Sequence, residues 1–324
     1  MNLRVFKIVC LVMAWVGLFW LDLCCGSVWL NIREAIQDGG VLRSILMDIR
    51  LPKALTAILA GMALSVSGLM MQTLFRNPLA GPYILGVSSG ASLGVALLTM
   101  LGGILLFTIH SPLSTALAAI CGSALVLLLM LLIARRIRSN VTLLIVGMMV
   151  GAVASAMVGV IQNFADPDSL KLFIVWTLGS LQGVGWQEMQ YLLPVTIVGM
   201  AVAVGLIKPL NGLILGEDYA QGLGIRVQAV RWVIVLATGL LVGGITAFCG
   251  PIAFVGVAVP HIARGLFQST SHRWTLPACA IIGANLLLVC DIVSSLCTYP
   301  LPISTLSSLI GAPIIIYVIV RRSY

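Results

Sequence analysis

Charge is what this sequence has least of. Ten acidic and 18 basic side chains serve 324 residues, and between Asn77 and Ala134 no Asp, Glu, Lys or Arg occurs. Such a chain cannot clothe a water-soluble surface. With 60% hydrophobic residues and a mean hydropathy of +1.13, it reads as an integral membrane protein. Lysine is rarer still. Lys7, Lys53, Lys171 and Lys208 follow Phe, Pro, Leu and Ile, so no Gly-Lys-Ser/Thr phosphate loop exists and the chain should not hydrolyse ATP itself. The eight cysteines (Cys10, Cys24, Cys25, Cys121, Cys249, Cys279, Cys290 and Cys297) show no CxxC spacing. Most lie in apolar runs, as small hydrophobes rather than as a disulfide framework or a metal site. No metal and no cofactor are expected. Low-complexity tracts and soluble domains are missing too, so residues 1–324 read as one membrane domain.

A bilayer-spanning helix needs roughly 20 apolar residues. Ten stretches are candidates, at about 4–25, 53–74, 83–103, 113–134, 141–161, 190–207, 229–247, 252–267, 276–296 and 306–320. The first follows Arg4 and Lys7 and lacks an A-x-A-like cleavage site, which makes it a retained span rather than a signal peptide. The eighth is short and Gly-rich, and reads as partly re-entrant. With the N-terminus inside and the spans alternating, Arg4, Lys7, Arg76, Arg135, Arg136, Arg138, Lys208, Arg226, Arg231, Arg264, Arg273, Arg321 and Arg322 face inward. That is thirteen of the 18 basic residues, against Arg33, Arg43, Arg50, Lys53 and Lys171 outside. Cytoplasmic loops carry the Lys/Arg excess, so both termini are placed in the cytoplasm. The expected fold is all-α with about ten transmembrane helices. Spans two to five and seven to ten run in opposite senses, as an inverted repeat would, and GPYILGV at 81–87 is similar to GPIAFVGV at 250–257.

Few stretches look soluble. Lys208 to Gln228 is the longest inside. Asn211-Gly212 signals a turn. Gly216 can cap a short helix whose first turn carries Glu217 and Asp218 at the positive end of its dipole. Tyr219, Ala220 and Leu223 would share a face, and Gly224 supplies the left-handed stop. A helix this short needs a partner surface, in the helix-in-groove manner, or else the stretch is an ordinary inter-span loop. Outside, residues at about 27–50 are amphipathic. Ile32, Ala35, Ile36, Leu42, Ile45, Leu46 and Ile49 recur at helical spacing along the surface. Arg50-Leu51-Pro52-Lys53 closes that segment, with Pro52 in the first turn of the second span. Its two cations would either dock an acidic partner or anchor a helix end at the interface. Asn163 to Trp186 reads as an outer connection turning at Asp166-Pro167-Asp168, and Ile137 to Thr142 as an inner one.

Two enzyme-like or carrier-like features remain. Gly86-Val87-Ser88-Ser89-Gly90 matches G-x-S-x-G, with His110 and His261 as possible bases, which would make an intramembrane serine hydrolase. Without a strand–turn–helix context, small residues at this spacing more commonly let helices pack closely. Asp291 is the one acid deep in a predicted span, with no facing cation on an obvious neighbour. It would serve a proton-coupled secondary transporter, or accept hydrogen bonds from a helix terminus or from Asn285.

Five stretches, in order, carry a resemblance: RLPK at 50–53, RNPLAGPYILGVSSGASLG at 76–94, LNGLILGEDYAQGLGIRV at 210–227, GPIAFVGVAVPHIAR at 250–264 and LPISTLSSLIGAPIIIYVIVRR at 301–322. The chain resembles the FecCD-type permeases, membrane subunits of ABC importers for iron-siderophore complexes, haem and vitamin B12. The resemblance implies a vitamin B12 permease-like fold in a bacterial plasma membrane. A second permease subunit, a homodimer being permitted, would enclose the pathway. Two ATPase subunits would sit inside and a substrate-binding protein outside. It further implies that Gly216, Glu217, Asp218, Tyr219, Ala220, Leu223 and Gly224 form the coupling helix. Arg50 and Lys53 match the docking arginines, with Lys losing the bidentate fork. The vitamin B12 branch places another docking arginine where Ser295 stands here, after Asp291-Ile292-Val293-Ser294. Inner gates match Asn77, Pro78 and Leu79, then Asn140 and Val141. Pro260, His261 and Arg264 end the eighth span, facing an ATPase or capping the helix. The cargo implied is an iron chelate, ferric siderophore or haem, with cobalamin as the alternative, moved by alternating access that ATP drives from another chain.

Overall fold

The computed structural model describes residues 3–26, 29–38, 40–101, 112–137 and 139–322. His110, Arg138 and the start of the outer amphipathic segment at Ser27 lie outside them. Apolar run length dictates the architecture. With the i→i+4 ladder satisfying every backbone group, helix is the one local structure that a single apolar stretch can carry through lipid. The elements are α1 (Leu3–Cys24), α2 (Ile32–Asp38), α3 (Val41–Ser44), a π-helical stretch (Ile45–Arg50), α4 (Leu51–Leu74), a 3-10 turn (Pro82–Leu85), α5 (Val87–Leu101), α6 (Pro112–Arg136) and α7 (Asn140–Asn163). There follow α8 (Pro167–Thr177), α9 (Trp186–Gly205), α10 (Ile207–Leu215), α11 (Glu217–Gly222), α12 (Val227–Cys249), α13 (Val255–Phe267), α14 (His272–Leu296) and α15 (Ile303–Arg322). Among the described residues, seven helical segments are long and apolar enough to cross a membrane, and α5, α13 and α15 are shorter apolar helices. Together they cover the ten expected spans.

Alternation of the spans is visible in where their ends meet. Leu74, Asn140, Glu217 and Arg231 hydrogen-bond together at one end of the molecule. Cys24, Arg50, Lys53 and Ser295 gather through two further sets of bonds at the starts of α4 and the ends of α1 and α14. The first is the end that the charge rule expects inside.

The centre is α4, nearly all of it buried among α9, α12, α13 and α14. Hydrophobic burial cannot select one packing inside lipid, so close van der Waals approach must. Two glycines permit it. A Cβ on Gly61 would lie 2.1 Å from the Gly283 carbonyl oxygen of α14, and one on Gly68 would lie 1.8 Å from that of Gly256 in α13. By contrast α1 is peripheral, with Asp22, Leu23 and Cys24 its buried residues. It is fastened by Lys7 Nζ donating to the Leu266 carbonyl at 2.8 Å, by Arg4 lying 5.9 Å over the Trp274 ring, and by the Asn285 amide donating to the Leu11 carbonyl at 3.2 Å.

Three local expectations change. The amphipathic segment does not close at Arg50–Lys53. Val41 to Leu74 forms one continuous helical segment, because the π-helical stretch just before Pro52 supplies the change of register that a proline needs. Of its apolar stripe, Ile32, Ala35 and Leu46 pack with Leu23, Leu30 and Ala54, whereas Ile36 and Ile49 stay exposed. Asn163 to Trp186 is more than a connection, since Asp166 caps α8 by accepting from the Asp168 and Ser169 amides and Phe173 is buried. Those bonds, that from Ser169 foremost, hold the Asp166 carboxyl below its ordinary range.

The run-ups to α5 and α13 are irregular and touch each other. Tyr83 Oη donates to the Ile252 carbonyl and accepts from the Ile252 amide at 3.1 Å. Ser307 Oγ donates to the Ala253 carbonyl at 2.9 Å, and Gln72 Nε2 to that of Val257 at 3.2 Å. Non-helical backbone is tolerated here because protein side chains satisfy it. Phe254 adopts a left-handed φ of 65°, rare for a bulky residue, where the chain enters α13. These are the two stretches whose sequences are alike, approaching from opposite ends. Tyr83→Phe leaves both Ile252 groups unpaired in a buried setting and is expected to cost about 1–3 kcal/mol, read as a lower thermal midpoint in detergent.

The G-x-S-x-G stretch is a packing device. Ser88 Oγ pairs with Thr246 Oγ1 at 3.1 Å, and a Cβ on Gly90 would lie 2.6 Å from the Gly122 carbonyl of α6. The His261 ring is engaged elsewhere, with the Pro78 carbonyl at 2.8 Å.

Candidate functional site

The end expected inside is built around the stretch from Ile207 to Val227. Here Asn211-Gly212 is not a turn; both residues lie inside α10. Asn211 Oδ1 accepts from the His272 backbone amide at 2.8 Å and contacts His272 Nδ1 at 3.0 Å, tying α10 to the start of α14. Gly212 lies where Ile225 closes over it, since a Cβ there would be 2.3 Å from Ile225 Cδ1. The chain reverses at Gly216, whose φ of 127° no side-chain-bearing residue adopts readily, and α11 begins. Gly224, with φ of 80°, ends the unit as expected.

Orientation of α11 differs from the expected face. Ala220 is fully buried, whereas Tyr219 and Leu223, one turn apart, are 55% and 59% exposed. At the end of α10, Leu215 and Ile214 are also exposed, at 62% and 37%, and Asp218 is exposed in α11. Glu217 turns inward instead. Its Oε1 takes Arg231 Nη2 at 3.1 Å and the Asn140 side-chain amide. Asn140 Nδ2 also donates to the Leu74 carbonyl at 2.8 Å.

The expected gate residues share this end. Asn77 Oδ1 accepts from the Leu79 amide at 2.9 Å, an Asx turn just past Arg76, whose φ is 47°. Leu79 and Val141 are 49% and 65% exposed. Pro260 and His261 are buried in α13, and the His261 contact with Pro78 fixes the loop after α4. Arg264 Nη1 reinforces it through Gln72 Oε1 at 2.7 Å. These α13 residues therefore brace the loop after α4 and the end of α4.

At the other end the two expected docking cations have intramolecular partners. Arg50 Nη1 donates to the Leu23 and Cys24 carbonyls at 2.9 and 2.7 Å, capping α1. Lys53 Nζ lies 2.9 Å from Asp291 Oδ1 and donates to Ser295 Oγ at 2.7 Å. Asp291 is thus not a lone acid, and Asn285 is not its partner. Sequence reasoning missed this pair because nothing in either local pattern points to a residue so distant in the chain. It also read Arg231 as a topology charge; the signal was an arginine one turn inside an apolar span, where it must find an acid.

Comparison with known proteins follows the same outline. Residues 12–321 match the model of the FecCD transport family. The chain is 37% identical over 303 residues to the vitamin B12 import system permease protein BtuC of Shigella boydii serotype 18, covering 93% of this chain and 90% of the relative. It is 37% identical over 308 residues to the protein of that name in Salmonella paratyphi A, covering 94% and 91%. A solved structure described as an inward-facing, metal-chelate type ABC transporter superposes with a TM-score of 0.88 at 29% identity, covering 97% of this chain and 99% of that one.

Proposed function

This chain belongs to the FecCD transport family, as a permease subunit of an ABC importer, and on that premise we propose that α10 and α11 form the surface through which a separate ATPase drives it. The observation that carries the reading is that Tyr219 and Leu223 are exposed between Gly216 and Gly224, with Leu215 exposed just before them, at the end richest in basic residues. Two ATPase subunits engage it from the cytoplasm, where both termini lie. A second copy of the chain completes the pathway, and an extracytoplasmic binding protein delivers cargo at the end marked by Arg50 and Lys53. Asn77, Pro78, Leu79, Asn140 and Val141 gate the inner mouth. The membrane is the bacterial plasma membrane, and residues 1–324 act as one permease domain, with hydrolysis confined to the partner.

The cargo is a metal enclosed in an organic ligand, a ferric siderophore or haem in the first reading. Cobalamin is the second, favoured by the relatives named for vitamin B12 import. Vesicles holding the chain, its co-purifying ATPase and internal ATP, supplied with loaded binding protein, are expected to take up one of these cargoes. Uptake by the chain alone under an ion gradient would overturn the reading in favour of a secondary transporter.

A further inference from the structure

Glu217 opens α11, and its carboxylate is a meeting point for several other elements. Arg231 lies one turn into α12 and is 1% exposed. Beyond its bond to Glu217, its Nη1 donates to the Ile137 carbonyl at 3.0 Å, in the turn between α6 and α7, and contacts Gln228 Oε1 at 3.4 Å. Gln228 Nε2 in turn donates to the Ala134 carbonyl at 2.7 Å, the last turn of α6. Asn140, the first residue of α7, bridges Glu217 to the Leu74 carbonyl at the end of α4. One side chain of α11 is therefore tied to α4, the α6–α7 turn, α7 and α12.

We infer that Arg231 and Asn140 are positioning residues of energy coupling, a latch that makes α11 and the inner ends of α4 and α7 move as one body. The inference rests on the coupling role proposed for α11. Such a charge-assisted network is stiff, because the Arg231 guanidinium is almost wholly buried and Glu217 is its salt-bridge partner among the described residues. A push on the exposed Tyr219–Leu223 face is thus handed through Glu217 to Asn140, and from there to neighbouring Val141 and the mouth of α7. Tyr219 and Leu223 meet the partner; Glu217, Asn140 and Arg231 carry the displacement inward. An allosteric link needs such a discrete connection between the two places it joins.

The test uses the complete reconstituted importer and reads cargo moved per ATP hydrolysed. The probe is labelled cyanocobalamin, or a radio-iron siderophore if wild-type vesicles take up only iron. Asn140→Leu removes both donors while leaving the exposed face of α11 untouched. Its cargo-to-ATP ratio is expected to fall about tenfold, within the range of measured site-to-site couplings, with the ATPase still co-purifying. Arg231→Lys keeps the charge but loses the planar fork, and is expected to fall part of the way. Glu217→Gln, nearly isosteric, serves as the third variant if Asn140→Leu does not fold. A purely structural role would lower the thermal midpoint and the amount of assembled transporter without altering the ratio. Wild-type ratios in the folded variants would overturn the latch. Failure of the wild-type chain to hold or stimulate an ATPase would instead overturn the coupling role beneath it.

Discussion

Tyr219→Lys combined with Leu223→Lys is expected to strip the ATPase from the purified permease, weakening the complex on the order of 100-fold or more. Both side chains are largely exposed on one face of α11, and neither takes part in the Glu217 network. Their replacement therefore alters what a partner meets and leaves the folded chain intact. Buried aromatic and aliphatic anchors dominate interface energies, and an ammonium pressed into an apolar groove adds a desolvation penalty. Pull-down with a tagged ATPase, beside an unchanged thermal midpoint of the permease, checks the result. Undiminished capture would sink the assignment of this patch. Charge reversal at Glu217 would be a poorer probe, since that residue faces Arg231 inside the molecule.

Lys53→Met is expected to destabilise the chain by about 3–5 kcal/mol, because it leaves the Asp291 carboxylate buried without its cation. Asp291 is 1% exposed, and Lys53 is its salt-bridge partner among the described residues. Adding Asp291→Leu to Lys53→Met removes that carboxylate and is expected to recover part of the loss, since apolar replacements of a buried pair are often neutral while Asp22, buried against Asp291, remains. Thermal midpoints of the two single variants and the double variant measure the coupling. A Lys53→Met chain as stable as wild type would show that the pair contributes nothing, and would return Lys53 to the role of a docking cation.

The spans were legible because they depend on one quantity, the length of an apolar run between charges, which needs no knowledge of partners. Ends and orientations were harder. α8 was read as a connection because eleven residues holding Lys171 are too few and too polar to span. Its cue, Asp166-Pro167 as cap and first helical residue, has the same local pattern as a turn. Asn211-Gly212 was a sound turn signal that tertiary contact overrode. Asn211 found the start of α14 and Gly212 found Ile225, so the helix continued through both. At the coupling stretch, Gly216 and Gly224 were legible because their backbone angles suit glycine. The inward turn of Glu217 was not, since it depends on Arg231 and Asn140 arriving from other helices. The same reason hid the pairing of Lys53 with Asp291. Local pattern specifies where elements begin and end; which face turns inward is decided by residues distant in the chain.

The fastenings of α1 have a bearing on how the protein is made. Its ties at Lys7, Arg4 and Leu11 all run to Leu266, Trp274 and Asn285, in α13 and α14. Little of α1 is buried by the helices that follow it directly. During synthesis α1 emerges before α13 and α14, so its partners follow only with the last quarter of these residues. Until then it waits in lipid, held loosely at its outer end by Arg50. A helix inserted early is therefore among the last to be locked. A ribosome stalled before α13 would carry an α1 free to swivel against the growing bundle.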